Sequence, residues 1–167
     1  MALRKEMEAI EEIIGRLLRK RGWMLSIAES CTGGLIGHRI TNVPGSSDYF
    51  DGGVITYSND SKRELLKVPE ETITTYGAVS HQTAVAMAEG IRKLRGAEIG
   101  IGVTGIAGPA GGTAAKPVGL VYIALSSPVR VECKEFRFQG EREMIKLQAS
   151  EAALSMIRTL LEEPVIV

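Results

Sequence analysis

The segment WMLSIAESCTGGLIGHRI, which runs from Trp23 to Ile40, changes its pattern halfway along. The part up to Glu29 is a mostly apolar run that predicts a β-strand. The sequence CTGG then interrupts the extended pattern, and Leu35–Ile40 predicts a helix. Ser30 is therefore expected at a strand-to-helix junction, a position that faces ligands in many α/β folds.

Helical and extended patterns alternate on both sides of this junction. On its N-terminal side, apolar residues recur at helical spacing from Met7 to Leu18, and the predicted helix ends near Gly22. On its C-terminal side, the patterns predict strands at Gly53–Tyr57 and Ile99–Thr104, a short helix capped by Asn59 or Asp60, and a helix from a cap at Ser80 to about Arg95.

The C-terminal part of the chain predicts a hairpin followed by a long helix. Two apolar runs, Val118–Leu125 and Val131–Phe138, flank a Ser-Ser-Pro turn and are expected to pair as antiparallel strands. The helix starts near Glu141 and is expected to bury Met144, Leu147, Leu154, Ile157 and Leu161. An antiparallel pair thus joins a βαβ-like order. The chain shows no repeat or linker, so residues 1–167 are predicted to form a single three-layer α/β/α domain with a mixed β-sheet.

Composition limits the functions that the chain can have. Its 167 residues are 44% hydrophobic, enough for one buried core. Lys plus Arg and Asp plus Glu both total 20, so no surplus positive charge favours binding to nucleic acid or to an anionic membrane. The charged N-terminal stretch predicts a helix and not a signal peptide, and Pro109 and Pro117 interrupt the longest weakly charged region. Widely separated Cys31 and Cys133 fit a reduced, cytoplasmic protein, for which a homo-oligomer would be ordinary.

Familiar nucleotide and metal motifs are incomplete in this sequence. Gly100, Gly102 and Gly105 spell GxGxxG, but further glycines and a proline follow where a Rossmann helix should run. No Gly-Lys-Ser or Gly-Lys-Thr closes a Walker A loop. The two histidines lie on separate predicted helices, so the pattern supports neither a metal site nor a Ser-His-Asp triad, and no cofactor is expected.

The cluster AESCTGG is one candidate for chemistry. A serine precedes a Gly-Gly pair at a helix start, where the amides of Thr32, Gly33 and Gly34 would be unpaired donors for an oxyanion or a phosphate. The same pattern fits a helix cap at Ser30 with glycines that allow close helix packing.

The cluster GGVITYSNDSK, from Gly52 to Lys62, is the second candidate. A partly desolvated Lys62 could lose its proton near neutral pH and act as base for a serine hydroxyl. Tyr57, at a strand end, could relay a proton or donate to an oxyanion. A surface lysine and a packed tyrosine fit the pattern equally well.

Taken together, the motifs carry a family resemblance. AESCTGG is followed by PGSSDYFDGGVITYSNDSKRELLKV, then by GAVSHQTAVAMAEG and TGIAGPAGGTAAKPVG. This order, over about Met7 to Leu160, closely resembles the CinA C-terminal domain family, which includes stand-alone nicotinamide mononucleotide deamidases. The resemblance implies an amidohydrolase that converts this mononucleotide to nicotinic acid mononucleotide and ammonia, with no metal or cofactor.

The resemblance also assigns residues to roles. The family's catalytic serine, tyrosine and lysine fall on Ser30, Tyr57 and Lys62. The positions that it implies for substrate binding are Thr32, Gly33, Gly34, Ser46, Thr104, Gly105, Gly108, Gly112 and Arg142. Two alternatives stay open: a non-catalytic nucleotide-binding or protein-interaction module, and an amidase for another small amide with Cys31 as nucleophile.

Overall fold

Five strands form one mixed sheet in the part of the chain that the computed structural model describes, residues 7–165. The strands are β1 (Leu25–Glu29), β2 (Phe50–Ile55), β3 (Ile99–Gly105), β4 (Leu120–Ser126) and β5 (Val131–Arg137), in the spatial order β2-β1-β3-β4-β5. β1 runs parallel to both of its neighbours, whereas β4 runs antiparallel to both β3 and β5. The predicted mixed sheet and hairpin are confirmed.

Helices cover both faces of the sheet. They are α1 (Ile10–Arg21), α2 (Leu35–Thr41), α3 (Asn59–Leu66), α4 (Glu70–Tyr76), α5 (His81–Arg95) and α6 (Arg142–Glu162). The first, second and sixth helices share one apolar core with the sheet, and α3, α4 and α5 share another on the opposite face. Consecutive residues of β1 face opposite cores, Ile27 the first and Ala28 the second. This is the predicted three-layer α/β/α arrangement. Within the described range, none of these helices is long and apolar enough to cross a bilayer.

Three local expectations were wrong. Met7 is 95% exposed and precedes α1, which begins three residues later at Ile10. Ser58, and neither of the two residues after it, caps α3, because its Oγ accepts the Ser61 amide at 3.0 Å. In α6, Met144 and Leu147 are 51% and 46% exposed, since the buried stripe of that helix runs through positions 145, 149 and 153.

The GxGxxG glycines let α5 lie directly on β3. A Cβ on Gly100 would lie 2.3 Å from the main-chain oxygen of Ala88, and one on Gly102 would lie 2.4 Å from that of Ala84. Both distances are far below van der Waals contact, so these positions exclude any side chain. The first two glycines of the motif therefore serve packing between a strand and a helix.

A further glycine holds α5 against the helix that carries Lys62. A Cβ on Gly90 would lie 2.2 Å from the main-chain oxygen of Leu66, the last residue of α3. The distance between β3 and α3 is therefore set by two successive glycine contacts.

We expect Gly102→Ala to lower the free energy of unfolding by about 1–3 kcal/mol, because the added methyl group must push two backbones apart. Urea denaturation measures the change. Gly37→Ala, in α2, is the matched control: its Cβ would meet only ordinary contacts, at 3.6 Å and 3.8 Å, and alanine favours helix. Equal losses in the two variants would contradict the packing explanation.

Candidate active site

The carboxylate of Glu29 organises the junction after β1. Its side chain is buried, with 3% of the residue exposed, and it accepts backbone N–H groups from Gly34 at 3.1 Å, Ile36 at 3.2 Å and Gly37 at 2.9 Å. These are donors that the first turn of α2 cannot satisfy within the helix, and the N-cap residue of α2 is a glycine with no side chain to accept them. A negative charge is also favourable at this end of a helix dipole. The last residue of the strand thus caps the helix that follows it.

The backbone amides of the CTGG turn are largely hydrogen-bonded within the turn and to Glu29. Gly33 and Gly34 have φ angles of 61° and 97°, in the left-handed region that favours glycine. The Gly33 amide donates to the Ser30 carbonyl at 3.0 Å, and the Gly34 amide donates to Glu29. The expectation of three unpaired amides is therefore wrong for both glycines. Of the three predicted amides, that of Thr32 has no acceptor among the described residues, and the Thr32 hydroxyl, fully buried, also lacks a partner there.

Ser30 and Lys62 meet at the carboxyl ends of two neighbouring parallel strands. Ser30 follows β1, and Lys62 reaches in from α3, which begins shortly after β2 ends. Lys62 Nζ lies 3.1 Å from Ser30 Oγ, 2.8 Å from the Thr56 carbonyl oxygen and 3.5 Å from that of Tyr57. The structure thus brings together the predicted serine and lysine in a direct contact.

Lys62 is a buried lysine without a counter-ion. Only 1% of the residue is exposed, and no carboxylate lies within 4 Å of its amine in the part of the chain that the structure describes. Desolvation lowers the pKa of Lys62 below its usual 10.5, which favours the neutral amine. A neutral amine has two N–H groups, which can go to the two carbonyl oxygens, and one lone pair, which then faces the serine hydroxyl. The sequence left open whether Arg142 would lower this pKa, but burial is the cause.

Cys31 is poorly suited to act as the nucleophile. Its side chain is buried, and burial raises the pKa of the thiol to about 12. The reactive form of cysteine is the thiolate, which is scarce near neutral pH at such a pKa. The residue that contacts Lys62 is the neighbouring Ser30 and not Cys31.

Tyr57 and Arg142 form a second layer at the rim of the site. Tyr57 is 61% exposed, and its hydroxyl accepts a hydrogen bond from Arg142 Nη2 at 2.9 Å. Arg142 Nη1 donates to the Gly108 carbonyl oxygen at 2.7 Å, so the guanidinium joins the tyrosine to the glycine-rich loop. Arg142 also lines a cleft of about 650 Å³ whose apolar wall includes Pro109 and Val118. The structure gives Tyr57 Oη no hydrogen bond to Ser30 or Lys62 among the described residues.

Comparison with known proteins places this arrangement in a family. Residues 7–161 match the model of the CinA C-terminal domain. The chain belongs to the CinA C-terminal domain family. It is 52% identical over 151 residues to a CinA-like protein of Koribacter versatilis, and 49% identical over 156 residues to one of Syntrophobacter fumaroxidans. These matches cover 90% and 93% of this chain but only 36% and 37% of the two relatives.

Solved structures of the CinA superfamily have the same fold. The competence/damage inducible protein CihA of Agrobacterium tumefaciens superposes with a TM-score of 0.87 at 44% identity, over 98% of this chain and all of that one. The competence damage-inducible protein A of Klebsiella pneumoniae gives a TM-score of 0.87 at 36% identity, over 92% of this chain and 98% of that one.

The glycine-rich loop of this CinA domain is shaped by close packing. Thr104 Oγ1 donates at 2.7 Å to a main-chain carbonyl in the segment before α5. A Cβ on Gly105 would lie 2.8 Å from a β4 carbonyl oxygen, and Cβ atoms on Gly108 and Gly112 would lie 2.4 Å and 2.7 Å from atoms of Val118. Gly108 also offers its carbonyl oxygen to the guanidinium at the rim. The structure thus places Gly108 next to the candidate site, while substrate binding by these four residues stays a prediction.

Ser46 lies away from the other residues that the resemblance to CinA proteins implies. It begins a short 3-10 helix (Ser46–Asp48) directly before β2, and Phe50 of β2 pairs with Leu25 at the start of β1. Ser30 follows the other end of β1, a strand length of about 16 Å away. Within one chain the structure does not bring Ser46 to the serine and lysine. No group of three metal-ligating side chains occurs in the described residues of the domain.

We expect Glu29→Gln to lower the free energy of unfolding by about 1–3 kcal/mol, because an amide has one acceptor oxygen and turns an N–H group toward donors that need an acceptor. The measurement is urea unfolding, with exposed Glu143→Gln as the control. An unfolding midpoint equal to that of the wild type would contradict the capping role of Glu29.

Proposed function

We propose that this protein hydrolyses the carboxamide of nicotinamide mononucleotide to nicotinic acid mononucleotide and ammonia, with Ser30 as nucleophile and Lys62 as its base. The observation that carries the proposal is the 3.1 Å contact between Ser30 Oγ and the amine of a buried lysine that has no counter-ion among the described residues. The substrate comes from the family resemblance alone, because the names of the relatives refer to competence or damage induction and to CinA and mention no substrate.

The first half of the reaction forms an acyl-enzyme. The lone pair of neutral Lys62 accepts the Ser30 proton while Oγ attacks the carboxamide carbon, which gives a tetrahedral intermediate and a Lys62 ammonium. The negative charge on the substrate oxygen needs a fixed donor, and the Thr32 amide is a donor in the CTGG turn that has no acceptor among the described residues. Lys62 then gives its proton to the departing nitrogen, the carbon–nitrogen bond breaks, and ammonia leaves.

The second half uses the same amine again. Loss of ammonia leaves Lys62 neutral, so it can accept a proton from a water molecule that attacks the ester carbon. Collapse of this second intermediate returns the proton to Ser30 Oγ and releases the carboxylic acid. The sum is one amide plus one water to one acid plus one ammonia. Two carbonyl contacts hold the amine in place throughout, those to Thr56 and Tyr57.

The direct test incubates the purified chain with nicotinamide mononucleotide and measures ammonia together with nicotinic acid mononucleotide. We expect both products in equal amounts from the wild type, none above background from Ser30→Ala, and near wild-type turnover from Cys31→Ala. Binding of the mononucleotide without product would favour the non-catalytic module. Activity that survives in Ser30→Ala and disappears in Cys31→Ala would move the nucleophile to the cysteine.

The pH profile tests the base. Because the neutral amine is the active form and desolvation lowers its pKa, we expect kcat/KM to rise with pH through a value below the 10.5 of an ordinary lysine. Lys62→Arg should reduce kcat by about 10²- to 10⁴-fold, since a guanidinium does not release its proton at these pH values. Exposed Lys93→Arg is the control. A Lys62→Arg enzyme that keeps most of its kcat and changes only in KM would reduce Lys62 to a binding residue.

A further inference from the structure

Lys146 carries a positive charge to the CTGG turn. It lies one helical turn after Arg142 on α6, so the two side chains leave the same face of the helix. A Cβ placed on Gly33 would lie 3.4 Å from Lys146 Nζ and 3.9 Å from its Cε. The ammonium therefore lies beside the turn, three residues after the serine, at a position with no side chain to separate the two.

The charge of Lys146 also affects the pKa of a side chain inside the turn. Burial has the largest effect on the pKa of Cys31 and raises it, the charge of Glu29 also raises it, and the positive charge of Lys146 acts to lower it. A lysine of α6 thus acts electrostatically on the residue next to Ser30.

Lys146 differs from the other two cations near this site because it has no bonding partner among the described residues. Lys62 is buried and contacts the serine, and Arg142 donates to Tyr57 and to Gly108. By contrast, Lys146 makes no hydrogen bond and no ion pair with any of the residues 7–165, where the ion pairs between side chains are made by arginines such as Arg39. Lys146 is partly exposed, so its ammonium can meet a ligand.

We propose that Lys146, lying over Gly33, is the phosphate-binding subsite of the Ser30 site and takes the phosphate monoester of the substrate. This inference rests on the proposed function, which places an amide at Ser30 and leaves a phosphate dianion at the other end of the same molecule. The chain has no net charge, so attraction of a dianion must come from local cations. A lysine ammonium offers three donors on a flexible stem and suits a phosphate as a point charge.

A binding experiment tests the subsite without requiring turnover. The probe is ribose 5-phosphate, which has the phosphate but no amide, with ribose as its uncharged partner, titrated against the folded full chain by calorimetry. We expect Lys146→Met to weaken binding of ribose 5-phosphate by about 10- to 100-fold, Lys146→Arg to stay within a few-fold of the wild type, and exposed Lys134→Met on β5 to change nothing. A wild-type chain that does not bind the probe, or a Lys146→Met chain that binds it equally well, overturns the proposal.

A kinetic experiment separates this proposal from the proposed function. With nicotinamide mononucleotide, Lys146→Met should raise KM by a similar factor and leave kcat nearly unchanged, while turnover of nicotinamide riboside, which lacks the phosphate, should not respond to the substitution. Unchanged KM for the mononucleotide in an active Lys146→Met enzyme would sink the subsite alone. Binding of ribose 5-phosphate that depends on Lys146, in a chain that releases no ammonia, would sink the amidase alone.

Discussion

The buried carboxylate of Glu29 is the constraint on which the site depends. It is the last residue of β1 and accepts three N–H groups from the start of α2, so strand and helix cannot change their relative position without exposing unpaired donors. Ser30 lies between these two fixed ends, and the left-handed glycines after it complete the turn. The nucleophile of the proposed reaction is thus held by main-chain geometry and needs no partner to orient it other than the lysine.

Burial makes Lys62 the proposed base for the serine, and neither histidine hydrogen-bonds to that serine among the described residues. The parallel pairing of β1 and β2 places their carboxyl ends side by side, and the serine cap of α3 starts the helix at the register that points Lys62 inward. Carbonyl oxygens satisfy the amine but do not offset a positive charge as a carboxylate would. The cost of desolvating the ammonium then favours the neutral form that general base catalysis requires.

The sequence predicted the parts of this arrangement that depend on local pattern, and missed those that depend on distance. The apolar run up to Glu29 and the two glycines of CTGG were sufficient for the strand, the turn and the helix. Glu29 was missed because its role is to accept amides five, seven and eight residues later, although a glutamate that ends a buried strand before an uncapped helix was a usable signal. Lys146 was missed because no pattern within α6 reports which loop its ammonium reaches. The sequence could not show that Ser46 lies at the amino ends of β1 and β2, away from Ser30, since that follows from strand register.

The two glycine contacts that join β3 to α5 and α5 to α3 have a consequence for the way mutational data on this protein are interpreted. Together, Gly102 and Gly90 set how deep α3, and with it Lys62, sits against the sheet. A methyl group at either position would shift a helix backbone. The hydrogen bond between the serine and the lysine tolerates a change in length of only about 0.5 Å. In a saturation screen scored by activity, these remote positions would therefore resemble catalytic residues. A parallel measurement of protein abundance would distinguish variants that lose catalysis from variants that lose folded protein.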